Sequence, residues 1–424
     1  MQRLPVAVAS LVLATLVSSC ESSAPPADRP TPSPSSTIHD GGRVVIGVLG
    51  EPATLDPYSP VASDLTTALA EPVYPSLFHF AGSGRVVPDL AADLTVDGHH
   101  ATITLRPAEW DDGTPITASD VVRSARRAGP RSGFGRLRAV RRVGRRRIEA
   151  TADLGSRRRW ERTLASGSLV VSRDASTHPL RTSGGPFRVA HVTPGLEVRY
   201  VRDPGWTGAP PHLTTLVVRF VDSEDIMLEL LKRGRLDAAV VPSTVNLPDR
   251  VDASRFTIGR QHGSERIYLD FDGSRDDPSL RERVVGAIET KVLQQTFVRD
   301  AGVTVFRGNV AGNRSGGGSI QLAAPTGDEL LGLLQRALQL QLSRAGFGVD
   351  LVTVDARTFY GPWERRDPMD VALRREVGPP ITGATKVALF DVDSFVVADR
   401  RVHGVVPTGQ SGGPFADVAS WWRE

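Results

Sequence analysis
Between residues 214 and 354 the chain alternates strand-like and helix-like patterns, and no other feature restricts its fold as strongly. Residues 214–221, 236–241, 266–271 and 349–354 are short runs rich in β-branched and apolar residues. Helical patterns lie between them. Residues 224–233 have Ser223 as a cap, Ile226, Leu230 and Leu231 as an apolar stripe, and Gly234 as a stop. A second helix is predicted over 279–295. The third and clearest covers 326–345. There Thr326 and Glu329 read as a capping box, and Leu330, Leu333, Leu334, Ala337, Leu338 and Leu342 share one face, with Gly346 just past the end. Such alternation is the mark of α/β lobes with partly parallel sheets.

Upstream, 43–49 reads as a core strand, 102–105 as another, and 117–128 as a helix opened by Thr117 and Asp120. Residues 137–151 suit a surface hairpin turning near Gly144, and 187–191 and 196–201 read as strands. Further strands are predicted at 371–373 and 386–397.

At 424 residues the chain is long enough for two separate cores. Its 40% hydrophobic and 23% charged content excludes both a multi-span membrane protein and a wholly disordered chain. One cysteine excludes an intrachain disulfide and any cysteine-built zinc or iron–sulfur site. That cysteine, Cys20, follows a short apolar stretch (4–17) and the residues Val17-Ser18-Ser19. The arrangement resembles a bacterial lipobox, so residues 1–19 are expected to be a lipoprotein signal peptide and Cys20 the lipidation site. Residues 20–40, rich in Ser and Pro, read as a tether. The expected location is extracytoplasmic, at the outer face of the cell membrane.

Catalytic motifs are weak. The three lysines, Lys232, Lys291 and Lys386, lie outside glycine-rich turns, so no phosphate loop forms. His99 and His100 are adjacent and would point to opposite faces of a strand. Gly409-Gln410-Ser411-Gly412-Gly413 has the spacing of a nucleophile elbow, but Pro407 and Pro414 flank it and argue for a loop. An arginine run from Arg123 to Arg147 reads as a solvated face rather than a nucleic-acid site, because only Phe134 interleaves it.

Several motifs, in order, resemble the extracellular solute-binding proteins of ABC importers, in the dipeptide/oligopeptide/nickel class. They are the 50–57 segment (GEPATLDP), the 71–78 segment (EPVYPSLF), 87–91 (VPDLA) and 110–121 (WDDGTPITASDV). Further on come 185–189 (GPFRV) with 202–206 (RDPGW), 234–239 (GRLDAA), and a tail with Val402-His403-Gly404, Pro414-Phe415 and Trp421-Trp422. The resemblance implies an α/β fold: a two-lobed, periplasmic-binding-protein-like clamp of type II. The first lobe would comprise 41–185 and 386–424, the second 186–385. It implies a monomer that is not an enzyme and needs no cofactor or metal. Its partners would be a peptide or similar small polar solute, an ABC permease, and the membrane through the lipid anchor, with no nucleic acid.

The chain also departs from that pattern. Phe271-Asp272 stands where the family has Phe-Asn, and Glu289-Thr290 replaces Asp-Arg. From 370–373 the sequence passes almost directly to 386–397, so the second lobe is expected to be shortened and to lack the family's acidic anchor for a peptide amino terminus. Candidate ligand-binding residues are Tyr58 and Tyr74 on first-lobe loops, Asp270 and Asp272 at a strand end, Trp363 for stacking, and Arg374 and Arg375 for a carboxylate. Two other readings remain open: a degenerate clamp serving as an envelope structural or signalling lipoprotein, and a hydrolase using Ser411.

Overall fold
The computed structural model describes residues 38–82, 84–129, 132–242, 247–272, 277–298, 317–359, 369–377, 385–410 and 412–424. Cys20, Trp363 and Ser411 lie outside the described residues. No described helix is long and apolar enough to cross a membrane.

The chain opens with β1 (Arg43–Leu49), α1 (Asp64–Ala70), β2 (Phe78–Phe80), β3 (Val86–Pro88), β4 (Ala91–Asp97), β5 (His100–Leu105) and α2 (Ala118–Arg127). Next come β6 (Ala139–Arg142), β7 (Arg147–Thr151), α3 (Arg157–Leu164), β8 (Phe187–Thr193), β9 (Glu197–Arg202) and β10 (Thr215–Val221). Then follow α4 (Glu224–Lys232), β11 (Ala238–Val241), α5 (Leu247–Arg250), β12 (Phe256–Phe271), α6 (Pro278–Ala287) and α7 (Thr290–Phe297). The rest comprises β13 (Ser319–Pro325), α8 (Glu329–Arg344), β14 (Gly348–Val354), α9 (Ala356–Phe359), β15 (Val371–Val377), β16 (Lys386–Asp399), β17 (Val402–His403) and β18 (Trp422–Arg423).

Ten strands form one sheet in the order β14-β13-β15-β12-β16-β11-β1-β10-β9-β8. β1 runs parallel to β10 and β11, and β13 runs parallel to β14 and β15. A separate four-stranded sheet, β4-β5-β7-β6, carries the hairpin predicted over 137–151.

Side-chain alternation assigns each strand to its cores. On β1, Val44, Ile46 and Val48 enter the largest apolar cluster, while Val45 faces the other way, onto Met227, Leu228 and Leu231 of α4. On β13, Ile320, Leu322 and Ala324 meet Leu330, Leu331, Leu334, Leu338 and Leu342 of α8, while Ala323 faces Phe359 and Met369. The first lobe is therefore built around β1 and the second around β13 and α8.

The long antiparallel pair β12 and β16 joins the two lobes. Its Phe256, Phe395 and Val397 sit with β1 and α4, whereas Ile267, Leu269, Phe271, Phe390 and Val392 sit with α8. Between these halves the register slips, from Gln261 to Glu265, as in a β-bulge. The buried Asp393 carboxylate gathers this irregular stretch. It accepts the Gly263 N–H at 2.8 Å, pairs with the Arg260 guanidinium and lies 3.4 Å from His262 Nδ1.

Strands β8, β9 and β10 pair in series onto β1. Three local expectations change. The cap of α8 is Asp328, whose carboxylate accepts the Leu331 N–H at 2.9 Å; Glu329 instead meets Arg250 at 2.8 Å. Gly327 explains the shift. Its φ is +80°, and a Cβ there would lie 2.0 Å from the Asp222 carbonyl oxygen, so the chain turns one step later than the Thr326 pattern implies. Ile226 is 49% exposed, because packing against the sheet turns Met227, Leu228 and Leu231 inward instead. The 279–295 helix breaks in two at Ile288, which is extended, and the next N–H, on Glu289, is taken by the Gln341 side chain at 2.9 Å.

Candidate functional site
The carboxyl ends of parallel strands from both lobes meet at one cavity. β1 ends there at Leu49, β11 leads there to Pro242, and β13 ends at Pro325. In open α/β sheets this is where ligands are held. The cavity measures about 310 Å³, at the small end of the range for ligand pockets. The first lobe contributes Val48, Leu49, Glu51, Pro52, the 60–65 stretch, Ala68, Val240, Pro242 and the segment around Pro414 and Phe415. The second contributes Glu265, Pro325, Asp328 and the 374–377 end of β15.

Most of this wall is apolar, and five of its residues are prolines (Pro52, Pro60, Pro242, Pro325 and Pro414). Proline has no backbone N–H, so these positions offer shape and carbonyl oxygens rather than donors. The charged groups sit mainly on the second-lobe wall and already have partners. Arg375, only 10% exposed, lies between Glu265 at 2.9 Å and Asp328 at 2.5 Å. Arg374 lies 3.5 Å from Asp270, with its guanidinium 4.9 Å from the centre of the Phe359 ring. Glu376 accepts a hydrogen bond from the Tyr268 hydroxyl at 2.6 Å and has Lys386 at 3.7 Å. Burial, with Glu376 adding to it, pushes the Tyr268 hydroxyl well above its ordinary pKa. The second-lobe wall is thus polar, with its charges paired to one another.

Among the contacts that join the lobes, two stand out. The Asp64 carboxylate, in the first turn of α1, accepts the Val377 N–H at 2.8 Å. Arg250, on α5, bridges Asp225 of α4 and Glu329 of α8. Both hold the lobes together around the cavity.

The predicted site residues separate into groups. Arg374 and Arg375 line the cavity. Asp270 and Asp272 do not. Asp270 supports Arg374 from behind, and Asp272, beyond the end of β12, donates its N–H to the Asp370 carbonyl at 3.2 Å. Tyr74 is a core residue, 1% exposed, whose hydroxyl oxygen accepts the Leu180 N–H at 2.8 Å and whose burial raises its pKa to about 12. Tyr58 is half-buried, donates to the Leu169 carbonyl at 2.6 Å and is likewise raised by burial. Both tyrosines face inward because each hydroxyl has a backbone partner far along the chain. The cavity residues that sequence reasoning missed are Glu51, Asp64, Glu265, Asp328 and Glu376. Glu376 follows Arg374 and Arg375 directly, a signal that was available. Glu265 lies in a polar stretch with no strand signature, so nothing local marked it.

Behind the first-lobe wall, the Glu71 carboxyl is half-buried beside Gly412. A Cβ on Gly412 would lie 2.5 Å from Glu71 Oε1. Burial, with repulsion from Asp89, pushes Glu71 up to about 8. Asp89 is itself raised by burial, against the N–H donated to it by Ser76 at 2.8 Å. Among the described residues no cluster of three or more metal-ligating side chains occurs.

Residues 170–306 match the family described as bacterial extracellular solute-binding proteins, family 5 Middle. Among curated proteins, the chain is 24% identical over 295 residues to Protein XP55 of Streptomyces lividans, covering 63% of this chain and 53% of that one. The other curated matches, putative binding proteins of Brucella, are covered over 28% of their length, so the chain spans about half or less of the relatives it matches. Among solved structures, the oligopeptide-binding protein AppA of Bacillus subtilis, in complex with a nonapeptide, superposes with a TM-score of 0.73 at 13% identity, over 92% of this chain and 100% of that one. NikZ of Campylobacter jejuni, in complex with Ni(L-His), gives a TM-score of 0.71 at 16% identity, over 90% and 99%. The resemblance read in the motifs is thus borne out, as is the two-lobed type II fold. The matched family and structural neighbours are solute-binding proteins, not enzymes.

Proposed function
We propose that this chain is an extracytoplasmic binding component of an ABC importer, which closes its two lobes over a small solute and passes it to a membrane permease. The observation that carries this reading is the cavity walled by both lobes at the ends of their parallel strands. Closure works as a population shift: a guest touching both walls stabilises the closed form by the contacts it lacks in the open one. The β12–β16 irregularity around Gly263 is the place for the hinge, because the register there already departs from a regular ladder. Lobe boundaries would then fall in that ribbon, with residues 43–261 and 394–424 on one side. Cys20 would carry the acyl chains and residues 20–40 would form the tether. The protein would act as a monomer.

A cavity of about 310 Å³ suits a short peptide or a small metabolite, and the proline- and valine-lined first-lobe wall favours a solute with an apolar portion. Arg374 and Arg375 would orient its polar end, through guanidinium groups already held in place by Asp270, Glu265 and Asp328.

A second reading also has support. The cross-cleft contacts Asp64–Val377 and Arg250–Glu329 tie the lobes directly to each other, which fits an envelope lipoprotein that binds protein partners. Thermal-shift screening with dipeptides, tripeptides and small amphipathic metabolites separates the two. A ligand at a hundred times its Kd adds about 2.7 kcal/mol to stability, a rise of several degrees. No rise across the panel, with unchanged small-angle scattering, would exclude the importer reading.

A further inference from the structure
We propose that the β6–β7 hairpin is a membrane-docking tip that seats the first lobe on a surface of anionic lipid headgroups. From Arg123 to Arg162 the chain carries fifteen arginines against three carboxylates, although the whole protein nets only +3. The excess is most concentrated where β6 turns into β7. There Arg141, Arg142, Arg145, Arg146 and Arg147 are all exposed. Arg141 pairs with Glu149, but among the described residues Arg142, Arg145, Arg146 and Arg147 have no carboxylate partner. Four cations held this close repel one another, an arrangement a partner rich in negative charge would relieve.

The backbone of the tip is fixed. Val143 and Gly144 both donate their N–H groups to the Arg147 carbonyl, at 3.0 and 3.2 Å. The Arg145 carbonyl accepts from Ala118 at 2.9 Å and the Arg146 carbonyl from Leu105 at 2.7 Å. The hairpin is thereby tied to α2 and β5, and its side chains point outward without ordering a loop first.

Three observations favour a lipid surface over a nucleic acid. Val143, at the crown of the turn, is 39% exposed and ringed by arginines, the pairing of an apolar point with basic neighbours that an interface of headgroup and acyl chain accommodates. The aromatic residues of the stretch, Phe134 and Trp160, are buried at 2% and 0% exposure, so no ring is available for a base to stack on. The arginines also cluster around one turn rather than lining a groove. This proposal goes beyond the solute-binding reading and does not depend on the cleft.

The test uses the full chain with Cys20→Ser, so that no acyl anchor forms. Co-sedimentation is measured with vesicles of phosphatidylcholine alone and of phosphatidylcholine mixed with phosphatidylglycerol. Binding is expected only to the mixed vesicles, weakening as salt rises. Replacing Arg142, Arg145, Arg146 and Arg147 together by Gln should lower that binding by about a hundredfold or more. Val143→Ser should lower it only a few-fold and leave the salt dependence unchanged. Melting temperatures of both variants should match or slightly exceed the parent's, because among the described residues these side chains have no hydrogen-bond or ion-pair partner and the arginines repel one another. The proposal is overturned if the parent does not discriminate between the two vesicles. It is also overturned if the four-fold variant binds as well as the parent, or if inorganic polyphosphate or duplex DNA is bound through these arginines while the vesicles are not.

Discussion

Replacing Glu71 by Gln should flatten the dependence of stability on pH between the acid range and about 8. In the unfolded chain this carboxyl ionises near 4.5, whereas in the folded protein burial and the nearby Asp89 raise it to about 8. Below 4.5 both states hold the proton, and Glu71 contributes nothing to the pH dependence. Between 4.5 and about 8 the unfolded chain releases its proton while the folded one retains it, so stability falls as pH rises. Above about 8 both are ionised and the loss levels off. Each pH unit in that window is worth about 1.4 kcal/mol, so the total loss is about 3–5 kcal/mol, the lower figure allowing for the part of the carboxyl that water reaches. Asp89 is displaced in the same direction, and part of its displacement should vanish with the Glu71 charge. The assay is urea unfolding at pH 5 and pH 8.5 for parent and variant, with the slope against denaturant checked for constancy. The parent should lose several kcal/mol between these conditions and Glu71→Gln much less. Equal losses in the two proteins would refute the reasoning. Because Glu71 abuts Gly412, beside the cavity-lining Gly413 and Pro414, ligand affinity in the parent should also decline as pH approaches 8.

Other outcomes follow from the same geometry. Arg375→Ala leaves Glu265 and Asp328 facing each other in a nearly dry site and should cost about 3–5 kcal/mol in chemical denaturation; a cost under about 1 kcal/mol would mean the triad is solvated. Leu338→Ala, at 0% exposure against β13, should destabilise the second lobe by about 2–5 kcal/mol, read as an earlier unfolding transition. Asp64→Ala removes the acceptor of the Val377 N–H, so small-angle scattering of the free protein should shift toward a more open form; an unchanged profile would show that this bond does not hold the lobes together. Gly327→Ala should be poorly tolerated, since the added methyl would meet the Asp222 carbonyl at 2.0 Å in a left-handed backbone. Stability equal to the parent's would require the lobes to separate there.

Local chemistry was enough to determine much of this protein. The period-2 and period-3.6 patterns placed β1, α4, β11, α8 and β14, because apolar side chains on one face must find a core whatever the topology. Thr117 and Asp120 cap α2 as read, since a capping box closes on itself within four residues. The ordered motifs were enough to indicate a two-lobed clamp. Tertiary structure decided what depends on distant neighbours. The first half of β12, with its glycines and charges, becomes a strand only because β16 supplies the other side of the ladder. Strands β8 to β10 are placed in the large sheet through the pairing of β10 with β1, a contact between segments well over a hundred residues apart. Arg375 could be nominated from its position after a strand, but its carboxylate partners lie 110 and 47 residues away, and only the folded chain brings them together. The inward turn of Tyr58 and Tyr74 has the same cause: each hydroxyl answers a backbone group more than a hundred residues along, and no local pattern records that demand.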